Sequence, residues 1–464
     1  MSKNSRGNPP SISYDVLRRI SHEKTATVHF IGIGGVSVYS LARLTALSGA
    51  TVTGSDREEN ERTRRLSDLG IKIHIGQRAE NLSHADLVVY SHAISEDNPE
   101  LLEAKRLGIP TVTRAEYLGA LMLDYRIRIG VSGSHGKSST VAMLDCIFSY
   151  ADREPTVLSG STLPLGEPIR IGTTNLMIYE ACEYKDSFLR FLPSIAIALN
   201  LELDHTDYFA DTDAISASFL SALNIADRFV LINGDDENLR RISPTIKTRV
   251  ITFGAGEGND YHYSVSSFGR EGFNFSVYKG EKIVSDFELN IPGQFNLYNA
   301  TAAIATALEC GIDPDTVSRA IKRYRGISGR LEYIGSRFGR PIYSDYAHHP
   351  TEIIATINAM RQISDRPITV VFKPHTYSRT KSLWSEFSSA LSLADQVIVT
   401  DIYPAREDPI PGVTAETLAA DICGAIYSPD DRVGYFIDSH TRGTILLMGA
   451  GNFDRIKQDI IINT

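Results

Sequence analysis

Short apolar runs of strand length alternate along the chain with segments in which apolar residues recur at helical spacing. Such alternation is typical of α/β domains with parallel sheets. The pattern predicts strands at residues 26–33, 51–54, 87–90, 109–113, 126–131, 176–180, 195–199, 229–232, 342–346, 368–372, 396–400, 433–436 and 445–448. It predicts helices near residues 38–48, 115–123, 297–310 and 315–323. Between glycines, alternating apolar and polar residues predict a small antiparallel insertion at 251–288 with strands at 261–265 and 273–278.

The length of the chain changes this picture from one domain to several. Its 464 residues are about three times the length of an average domain, so more than one hydrophobic core is expected. Hydrophobic residues make up 42% and charged residues 22%, a balance typical of folded proteins. We place the domain boundaries where the α/β alternation restarts, giving domains at 1–124, 125–325 and 326–464.

Composition also narrows the expected compartment and partners. No apolar run reaches the roughly 18 residues of a membrane helix, and the N-terminal residues are polar, unlike a signal peptide. The four cysteines are far apart and form no CxxC pair, as expected for reduced thiols. A net charge of -9 argues against attraction to nucleic acid or to an anionic membrane. We therefore expect a cytoplasmic protein with neither as a partner.

A first glycine cluster, GIGG at residues 32–35, follows a predicted strand and precedes a predicted helix. In that context backbone amides approach a diphosphate, and an acid ending the next strand, here Asp56, accepts from a ribose hydroxyl. Ser37 occupies the place of the third glycine of GxGxxG. By itself the cluster fits NAD, and thus an oxidoreductase, as readily as a UDP-sugar. It also fits a plain tight turn.

A second cluster, GSHGKSST at residues 133–140, also lies between a predicted strand and a predicted helix. Its glycines let amides converge on a β-phosphate, Lys137 neutralises phosphate oxygens, and the Ser138 hydroxyl is a ligand for Mg²⁺. Val131 stands where the strict GxxxxGK[ST] pattern has its first glycine. The lysine directly before three hydroxyl residues predicts a phosphate-binding loop rather than a capped turn.

Further polar residues follow later predicted strands. Glu180 and Glu183 come after one strand, and Asp204 and His205 come after the next. Carboxylate and imidazole groups at strand ends suit metal ions that bridge a γ-phosphate and an acceptor. A solvent-exposed charge for Glu180 and helix capping for Asp204 are the alternatives.

Two asparagines, Asn296 and Asn299, share one face of the first turn of a predicted helix, which suits an adenine edge. Capping by Asn296 alone is the simpler alternative. Basic and acidic residues then follow strands in the last third of the chain, and the arginines and histidines among them suit carboxylate and phosphate recognition. Taken singly, each also fits a surface or satisfied core residue. These residues are Arg330, Asp345, His348, His375, Arg379 and Arg406.

The order of these motifs is specific. They are GSHGKSST, EACEYKDSF, NLELDH, GQFNLYNATAA, DYAHHPTE, KPHTYSRT and YPAREDPIPGV, within a stretch running from FIGIGG to GAGN at Asn452. In this order and spacing the chain resembles the Mur ligases over nearly its whole length. The resemblance implies an α/β fold of three domains. These are an N-terminal Rossmann-like domain for a UDP-sugar, a central P-loop ATPase domain and a C-terminal Rossmann-like domain that delivers an amino acid.

The resemblance also implies an activity. The expected reaction joins L-alanine to the carboxylate of UDP-N-acetylmuramate through an acyl phosphate, with ATP and Mg²⁺, in peptidoglycan precursor synthesis. DYAHHPTE and the segment from His375 to Arg379 set the chain apart from later ligases of the pathway. Residues 373–380 favour a single amino acid over the ready-made peptide of a recycling ligase in the same family, which remains the alternative. A monomer or weak homodimer is expected.

Residue roles follow from the resemblance in the same way. The implied catalytic residues are Lys137, Glu180, His205 and His348, and the implied Mg²⁺ ligands are Ser138, Glu180 and His205. The implied ATP contacts are Gly133, Ser134, His135, Gly136, Lys137, Ser138, Ser139, Asn296, Asn299, Arg330 and Asp345. The implied substrate contacts are Gly34, Gly35, Ser55, Asp56, Ser91, Glu183, His348, His375 and Arg379. The chain departs from the usual pattern at Ser37, Gln77, Cys182, Tyr184 and Leu331.

Overall fold

The computed structural model describes residues 12–164, 166–206, 208–405, 407–451 and 453–461. Arg406 and Asn452, which the motifs singled out, and the polar N-terminal residues 1–11 lie outside the described residues. The chain forms two compact units. Unit 1 comprises Met1–Leu201 with Asp213–Thr252, and unit 2 comprises Glu202–Thr212 with Phe253–Thr464.

The first sheet of unit 1 is entirely parallel, with strand order β3-β2-β1-β4-β5. Its strands are β1 (Thr27–Ile31), β2 (Thr51–Asp56), β3 (Lys72–Ile75), β4 (Leu87–Tyr90) and β5 (Thr111–Thr113). Its helices are α1 (Tyr14–His22), α2 (Val36–Ser48), α3 (Glu61–Asp68), α4 (Pro99–Leu107) and α5 (Arg114–Leu121). Capping boxes at Asn60 and Thr113 fix where α3 and α5 begin. The strand order reverses between β1 and β4, which opens a crevice at their carboxyl ends.

The second sheet contributes six whole strands to unit 1, in the order β11-β10-β6-β9-β7-β8, together with the first part of β12. All neighbours among the six are parallel except β7 and β8. The strands of this region are β6 (Ile127–Ser132), β7 (Thr156–Leu158), β8 (Ile169–Arg170), β9 (Leu176–Glu180), β10 (Ile195–Ala198), β11 (Phe229–Asn233) and β12 (Val250–Gly254). The helices are α6 (Lys137–Tyr150), α7 (Thr212–Leu223) and α8 (Glu237–Ile242). The boundary between the units falls inside β12.

Unit 2 begins with an antiparallel meander followed by two helices. The elements are β13 (Tyr261–Gly269), β14 (Gly272–Lys279), β15 (Lys282–Leu289), α9 (Phe295–Glu309) and α10 (Pro314–Ile321). Asp313 caps α10, and Pro314 occupies its first turn.

The third sheet has the order β16-β17-β21-β18-β19-β20, and only β16 and β17 pair antiparallel. Its strands are β16 (Glu332–Arg337), β17 (Arg340–Asp345), β18 (Ile368–Phe372), β19 (Gln396–Val399), β20 (Ile426–Tyr427) and β21 (Thr444–Met448). Its helices are α11 (Pro350–Ile363), α12 (Tyr377–Ser382), α13 (Trp384–Leu391), α14 (Ala415–Ala420), α15 (Val433–His440) and α16 (Asp454–Ile460). Val370 and Val371 enter different apolar clusters, so helices cover both faces of the sheet.

The structure confirms the predicted α/β class and most predicted elements within a few residues. The strand predicted at 433–436 is wrong, because these residues lie in α15. Val433 and Ile437, one helical turn apart, are buried in one apolar cluster with Ile456 and Ile460. A short apolar run does not distinguish a strand from a buried helix, and packing decided the outcome. Among the described residues, no helix has the length and apolar character needed to cross a bilayer.

Candidate active site

The phosphate-binding loop predicted at residues 133–136 connects β6 to α6 in unit 1. Gly133 and Gly136 have φ of 142° and 84°, which favour glycine. A Cβ on Gly133 would lie 3.1 Å from Cβ of Leu199. Asn200 clamps the loop from the end of β10. Its Oδ1 accepts from the amide of His135 at 2.8 Å, and its Nδ2 donates to the carbonyl of His135 at 3.1 Å. The loop is thus shaped by the protein itself, with its amides at the N-terminus of a 14-residue helix.

Lys137 begins α6 and forms a largely buried ion pair with Glu183. Its Nζ lies 3.1 and 3.2 Å from the two carboxylate oxygens and also donates to the carbonyl of Gly133. Burial alone would lower the pKa of Lys137, but Glu183, assisted by Cys182 and Glu180, raises it overall. The ammonium group is therefore charged at neutral pH and held beside the loop.

Glu180 ends β9, the parallel neighbour of β6, so its carboxylate is at the sheet edge that carries the loop. Its Oε1 accepts from the hydroxyl of Ser159 at 2.9 Å and from the amide of Gly160 at 2.6 Å. The hydroxyl of Ser161 donates to that of Ser138 at 3.3 Å. Carboxylate and hydroxyl oxygens are the hard donors that suit Mg²⁺, so this part of the chain fits such an ion.

The first glycine turn lies at the crevice of the first sheet. The amide of Gly34 donates to Oδ2 of Asp56 at 2.8 Å, and Nε of Arg62 donates to the carbonyl of Gly34 at 2.5 Å. A Cβ on Gly34 would lie 2.4 Å from Nδ2 of Asn60, so glycine is required for this close approach. Gly35 is the N-cap of α2, which directs the first amides of that helix toward the crevice.

The other predicted substrate contacts of this sheet also follow strands. Ser55 is buried near the end of β2, and its hydroxyl donates to Glu100 at 2.6 Å. Ser91 follows β4, and its hydroxyl accepts from the amide of Ala93 at 3.2 Å. Gln77, a departure from the family pattern, accepts from Nδ2 of Asn98 at 2.8 Å. Their contacts with substrate stay predictions.

Asn296 and Asn299 lie in the first turns of α9 in unit 2, and both are buried. Nδ2 of Asn299 donates to Oδ1 of Asn296 at 3.2 Å, and Nδ2 of Asn296 donates to the carbonyl of Pro292 at 2.8 Å. Gln294, not Asn296, is the N-cap residue of α9. The two amides thus form one hydrogen-bonded pair, and simple capping does not explain Asn296.

Asp345 ends β17, and its carboxylate fixes nearby backbone at the start of the predicted third domain. Its oxygens accept from the amides of Leu331 at 2.7 Å and Ala347 at 2.8 Å. Burial raises the pKa of Asp345 to about 6, although Arg330 opposes the rise. The Arg330 guanidinium stacks over the ring of Tyr346, with Cζ 5.1 Å from its centroid. Leu331, another departure, has a φ of 49° and contributes its backbone amide to this arrangement.

Unit 2 also contains a cluster of charged and imidazole side chains formed by Arg379, His375, Asp204 and His348. Nη2 of Arg379 donates to Oδ1 of Asp204 at 2.7 Å, and Nη1 donates to Nδ1 of His375 at 3.1 Å. The rings of His348 and His375 have centroids 5.9 Å apart. His205, next to Asp204, has a φ of 54°, and its amide donates to the Asp204 carboxylate at 2.7 Å.

The hydrogen bonds of the two histidines define their protonation. Nδ1 of His348 is 3.0 Å from the carbonyl of Tyr346, which only accepts, so Nδ1 carries the proton and Nε2 is an acceptor in the neutral ring. Burial lowers the pKa of each histidine to about 4. For His375 the charge of Arg379 adds to this effect, whereas for His348 the charge of Glu352 opposes it. Against burial, Arg379 holds the pKa of Asp204 far below its usual range.

The structure therefore groups the predicted residues by unit. Unit 1 brings Lys137 to Glu183 and links Ser138 to Glu180 through Ser159–Ser161, a serine-rich turn that sequence reasoning missed. Unit 2 brings together His205, His348, His375 and Arg379. Sequence reasoning also missed Asn200 as a loop clamp. The available signals were the serines that begin directly after β7 and the asparagine two residues after the end of β10.

These observations define a class of protein. A parallel α/β unit carries a glycine-rich, lysine-bearing loop at a helix N-terminus, and a further α/β unit carries a cluster of arginine, histidine and carboxylate groups. That combination is typical of an α/β nucleotide-binding protein with a separate site for anionic substrates.

Family models identify the chain more narrowly. Three models match consecutive segments: the Mur ligase family catalytic domain at residues 27–126, the Mur ligase middle domain at 131–307, and the Mur ligase glutamate ligase domain at 329–451. The chain belongs to the Mur ligase family. The predicted three-domain α/β organisation is confirmed, while the limits at 124 and 325 stay predictions.

Comparison with individual proteins also finds Mur ligases over nearly the whole chain. The UDP-N-acetylmuramate–L-alanine ligase of Caldicellulosiruptor bescii is 40% identical over 444 residues, covering 93% of this chain and 97% of the relative. That of Alkaliphilus metalliredigens is 40% identical over 446 residues, covering 94% and 96%. Among solved structures, the UDP-N-acetylmuramate–alanine ligase of Thermotoga maritima has a TM-score of 0.80 at 26% identity, covering 94% of this chain and 98% of that one.

Proposed function

We propose that this chain joins L-alanine to the carboxylate of UDP-N-acetylmuramate in an ATP-dependent reaction that also yields ADP and phosphate. This is a step of peptidoglycan precursor synthesis. The observation that carries the proposal is the 40% identity, over nearly their whole length, to ligases of that name. The loop at Lys137 and the cluster at Arg379 supply the groups that such a reaction needs.

The first chemical step must activate the sugar carboxylate, because oxide is too poor a leaving group for direct attack by an amine. Transfer of the γ-phosphoryl group from ATP to a carboxylate oxygen gives an acyl phosphate and ADP. The amides of residues 133–136 and the Lys137 ammonium offset negative charge on the phosphoryl group. Glu183 keeps that ammonium in place. Further ATP contacts are proposed at Asn296, Asn299, Arg330 and Asp345.

For Mg²⁺ we propose Ser138 and Glu180 as ligands in unit 1 and retain His205 as a predicted ligand in unit 2. When bound, Mg²⁺ supplies neutralising charge to phosphate oxygens. The hydrogen bonds that Oε1 of Glu180 accepts from Ser159 and Gly160 fix the orientation of this carboxylate, as groups around a metal ligand do.

The second step is attack by the amine of alanine on the acyl phosphate, which releases phosphate. Arg379 is proposed to hold the alanine carboxylate, since guanidinium groups bind carboxylates through paired hydrogen bonds. Nε2 of neutral His348 is proposed to accept a proton from the amine. With a pKa of about 4, His348 passes that proton on rather than retaining it. The groups of the first sheet, including Gly34, Gly35, Ser55, Asp56 and Ser91, are proposed to bind the UDP-sugar.

A substrate panel tests the proposal. Release of ADP and phosphate is measured with UDP-N-acetylmuramate and each of L-alanine, L-serine, glycine and a tripeptide. We expect turnover with L-alanine to exceed that with the tripeptide at least tenfold. Preference for the tripeptide would indicate the recycling ligase, and hydride transfer to NAD without ADP release would indicate an oxidoreductase.

Location and assembly complete the proposal. We propose the cytoplasm, where ATP and UDP-sugars are available, and a monomer or weak homodimer, which sedimentation velocity over a range of concentrations tests. Limited proteolysis tests the proposed domain limits at residues 124 and 325.

A further inference from the structure

Within unit 1, the turn between β7 and β8 reaches from the proposed Mg²⁺ ligands to the helices of the first sheet. At its start, Ser159 and Gly160 bind Glu180, and Ser161 binds Ser138. The segment is braced by its own backbone. The amide of Ser159 donates to the carbonyl of Pro168 at 2.9 Å, and the amide of Leu163 donates to the backbone carbonyl of Glu167 at 2.9 Å. We call this segment, of which residues 159–164 and 166–168 are described, the β7–β8 turn.

Near the end of this turn, the Glu167 carboxylate accepts two hydrogen bonds and forms a further ion pair with residues of helices α2 and α3. The hydroxyl of Tyr39 donates to Oε2 at 2.7 Å, and Nη1 of Arg65 donates to Oε1 at 2.5 Å. Nη1 of Arg43 lies 3.4 Å from Oε2. Arg65 also donates to the carbonyl of Gly166 at 3.1 Å. We call this group the Glu167 clamp.

The Glu167 clamp is more than an exposed surface ion pair. The Glu167 and Arg43 side chains retain only 24% and 23% of their accessible surface, and the hydroxyl donor Tyr39 is buried. An isolated exposed pair contributes little, whereas a carboxylate that accepts a charged hydrogen bond from Arg65 and a hydroxyl hydrogen bond from Tyr39, with Arg43 beside it, has a fixed geometry. Helix α3 also carries Arg62, which holds the first glycine turn through Gly34.

We propose that Glu167 is a positioning residue for the proposed Mg²⁺ ligands. By fixing the far end of the β7–β8 turn to α2 and α3, it holds Ser159 and Gly160 where they orient the Glu180 carboxylate, and Ser161 where it orients Ser138. The inference rests on the proposed function of Glu180 and Ser138. Groups that orient metal ligands typically affect metal affinity by about 10- to 100-fold.

Four variants test the clamp. Glu167→Ala removes its acceptor, Glu167→Gln keeps an acceptor without charge, and Arg65→Ala removes its strongest donor. Glu61→Ala is the matched control, because Glu61 is an exposed partner of Arg65 at 2.5 Å and lies outside the clamp. Mn²⁺ replaces Mg²⁺ as a probe, and free Mn²⁺ is measured by electron paramagnetic resonance with a non-hydrolysable ATP analogue. Ligation kinetics are measured in parallel.

We expect Glu167→Ala and Arg65→Ala to weaken Mn²⁺ binding and lower kcat, each about tenfold, with KM for L-alanine unchanged. Glu167→Gln should lie between these and the parent, and Glu61→Ala should match the parent. Parent-like Mn²⁺ affinity in folded Glu167→Ala, or an equal loss in Glu61→Ala, would overturn the inference.

Two further results keep the test decisive. If Glu167→Ala does not fold, Tyr39→Phe removes one clamp donor while keeping the buried ring, and we expect about a threefold loss of Mn²⁺ affinity. Unchanged affinity in that variant and in Glu167→Gln would overturn the clamp. If the parent ligates nothing, the proposed function fails, while the Mn²⁺ measurements still decide whether Glu167 positions the ligands.

Discussion

Nη1 of Arg379 lies 3.1 Å from Nδ1 of His375 and donates a hydrogen bond to it. A guanidinium group has no acceptor, so Nδ1 of His375 must be unprotonated and the ring neutral with its proton on Nε2. The other side of the same guanidinium donates to Asp204 at 2.7 Å. One arginine thus fixes the tautomer of a histidine and compensates a buried carboxylate.

Replacing Arg379 by alanine should impair amino acid binding. The variant loses the proposed partner of the alanine carboxylate and leaves Asp204 without its guanidinium. We expect KM for L-alanine to rise at least tenfold, with a smaller change in KM for ATP. Steady-state kinetics with each substrate varied in turn measure both constants.

Arg361→Ala is the control for Arg379→Ala. Arg361 is 46% exposed and lies 3.4 Å from Asp395, so its loss should leave both constants at parental values. A parental KM for L-alanine in Arg379→Ala would remove Arg379 from the amino acid site.

Replacing Lys137 by alanine should abolish ATP-dependent phosphate release. We expect a loss of at least about 1,000-fold, because the charge on the phosphoryl group is no longer offset. The free energy of unfolding should also fall by about 3 kcal/mol, since the buried Glu183 carboxylate loses the Lys137 ammonium group that lies 3.1 Å from it. Phosphate release and denaturant unfolding are the measurements.

The double variant Lys137→Ala/Glu183→Ala separates the two effects. Removal of both charges should recover much of the lost stability but none of the activity. Turnover near the parental rate in either variant would contradict the phosphate-loop assignment.

Stability should fall on acidification because of His348 and His375. Their pKa of about 4 lies below the ordinary value of about 6.5, so between these limits the unfolded chain binds protons that the folded chain does not. Asp345, with a pKa raised to about 6, acts in the opposite sense, since its protonation favours the folded state. Unfolding free energies measured from pH 7 to pH 4.5 should decline.

In the variant His375→Asn, the free energy of unfolding should decline less between pH 7 and pH 4.5, by on the order of 2 kcal/mol. His84→Asn, at an exposed histidine, is the control and should follow the parent curve. Identical slopes for parent and His375→Asn would show that the pKa of His375 is not lowered on folding.

Cys182 should react slowly with alkylating agents. Burial, with Glu183 beside it, raises the pKa of the Cys182 thiol, and the thiolate is the reactive form. Cys423 is exposed and serves as the internal reference. We expect iodoacetamide at pH 8 to modify Cys423 at least about tenfold faster than Cys182, as followed by peptide mass spectrometry. Comparable rates would contradict the shielding of Cys182.

Motif residues close together in sequence were readily predicted, because their chemistry is local. The loop around Lys137 lies between strand and helix as expected, and Glu180 ends a strand. Contacts made across the fold were not predicted. The pairing of Arg379 with Asp204 joins residues 175 positions apart, and no local pattern indicates it. The helix at Val433 was missed for a related reason. Its short apolar run fits a strand or a helix equally well, and only its packing against α16 makes it a helix.

The sequence by itself determined the alternation of strands and helices, the positions of the two glycine turns and the identity of the groups that carry the chemistry. These depend on backbone preferences and side-chain type over a few residues. Only the tertiary structure decided which groups are buried, paired and shifted in pKa. Desolvation and charge among residues that only the folded chain brings together explain three features. These are the neutral state of His348 and His375, the ion pair of Lys137 and the Glu167 clamp.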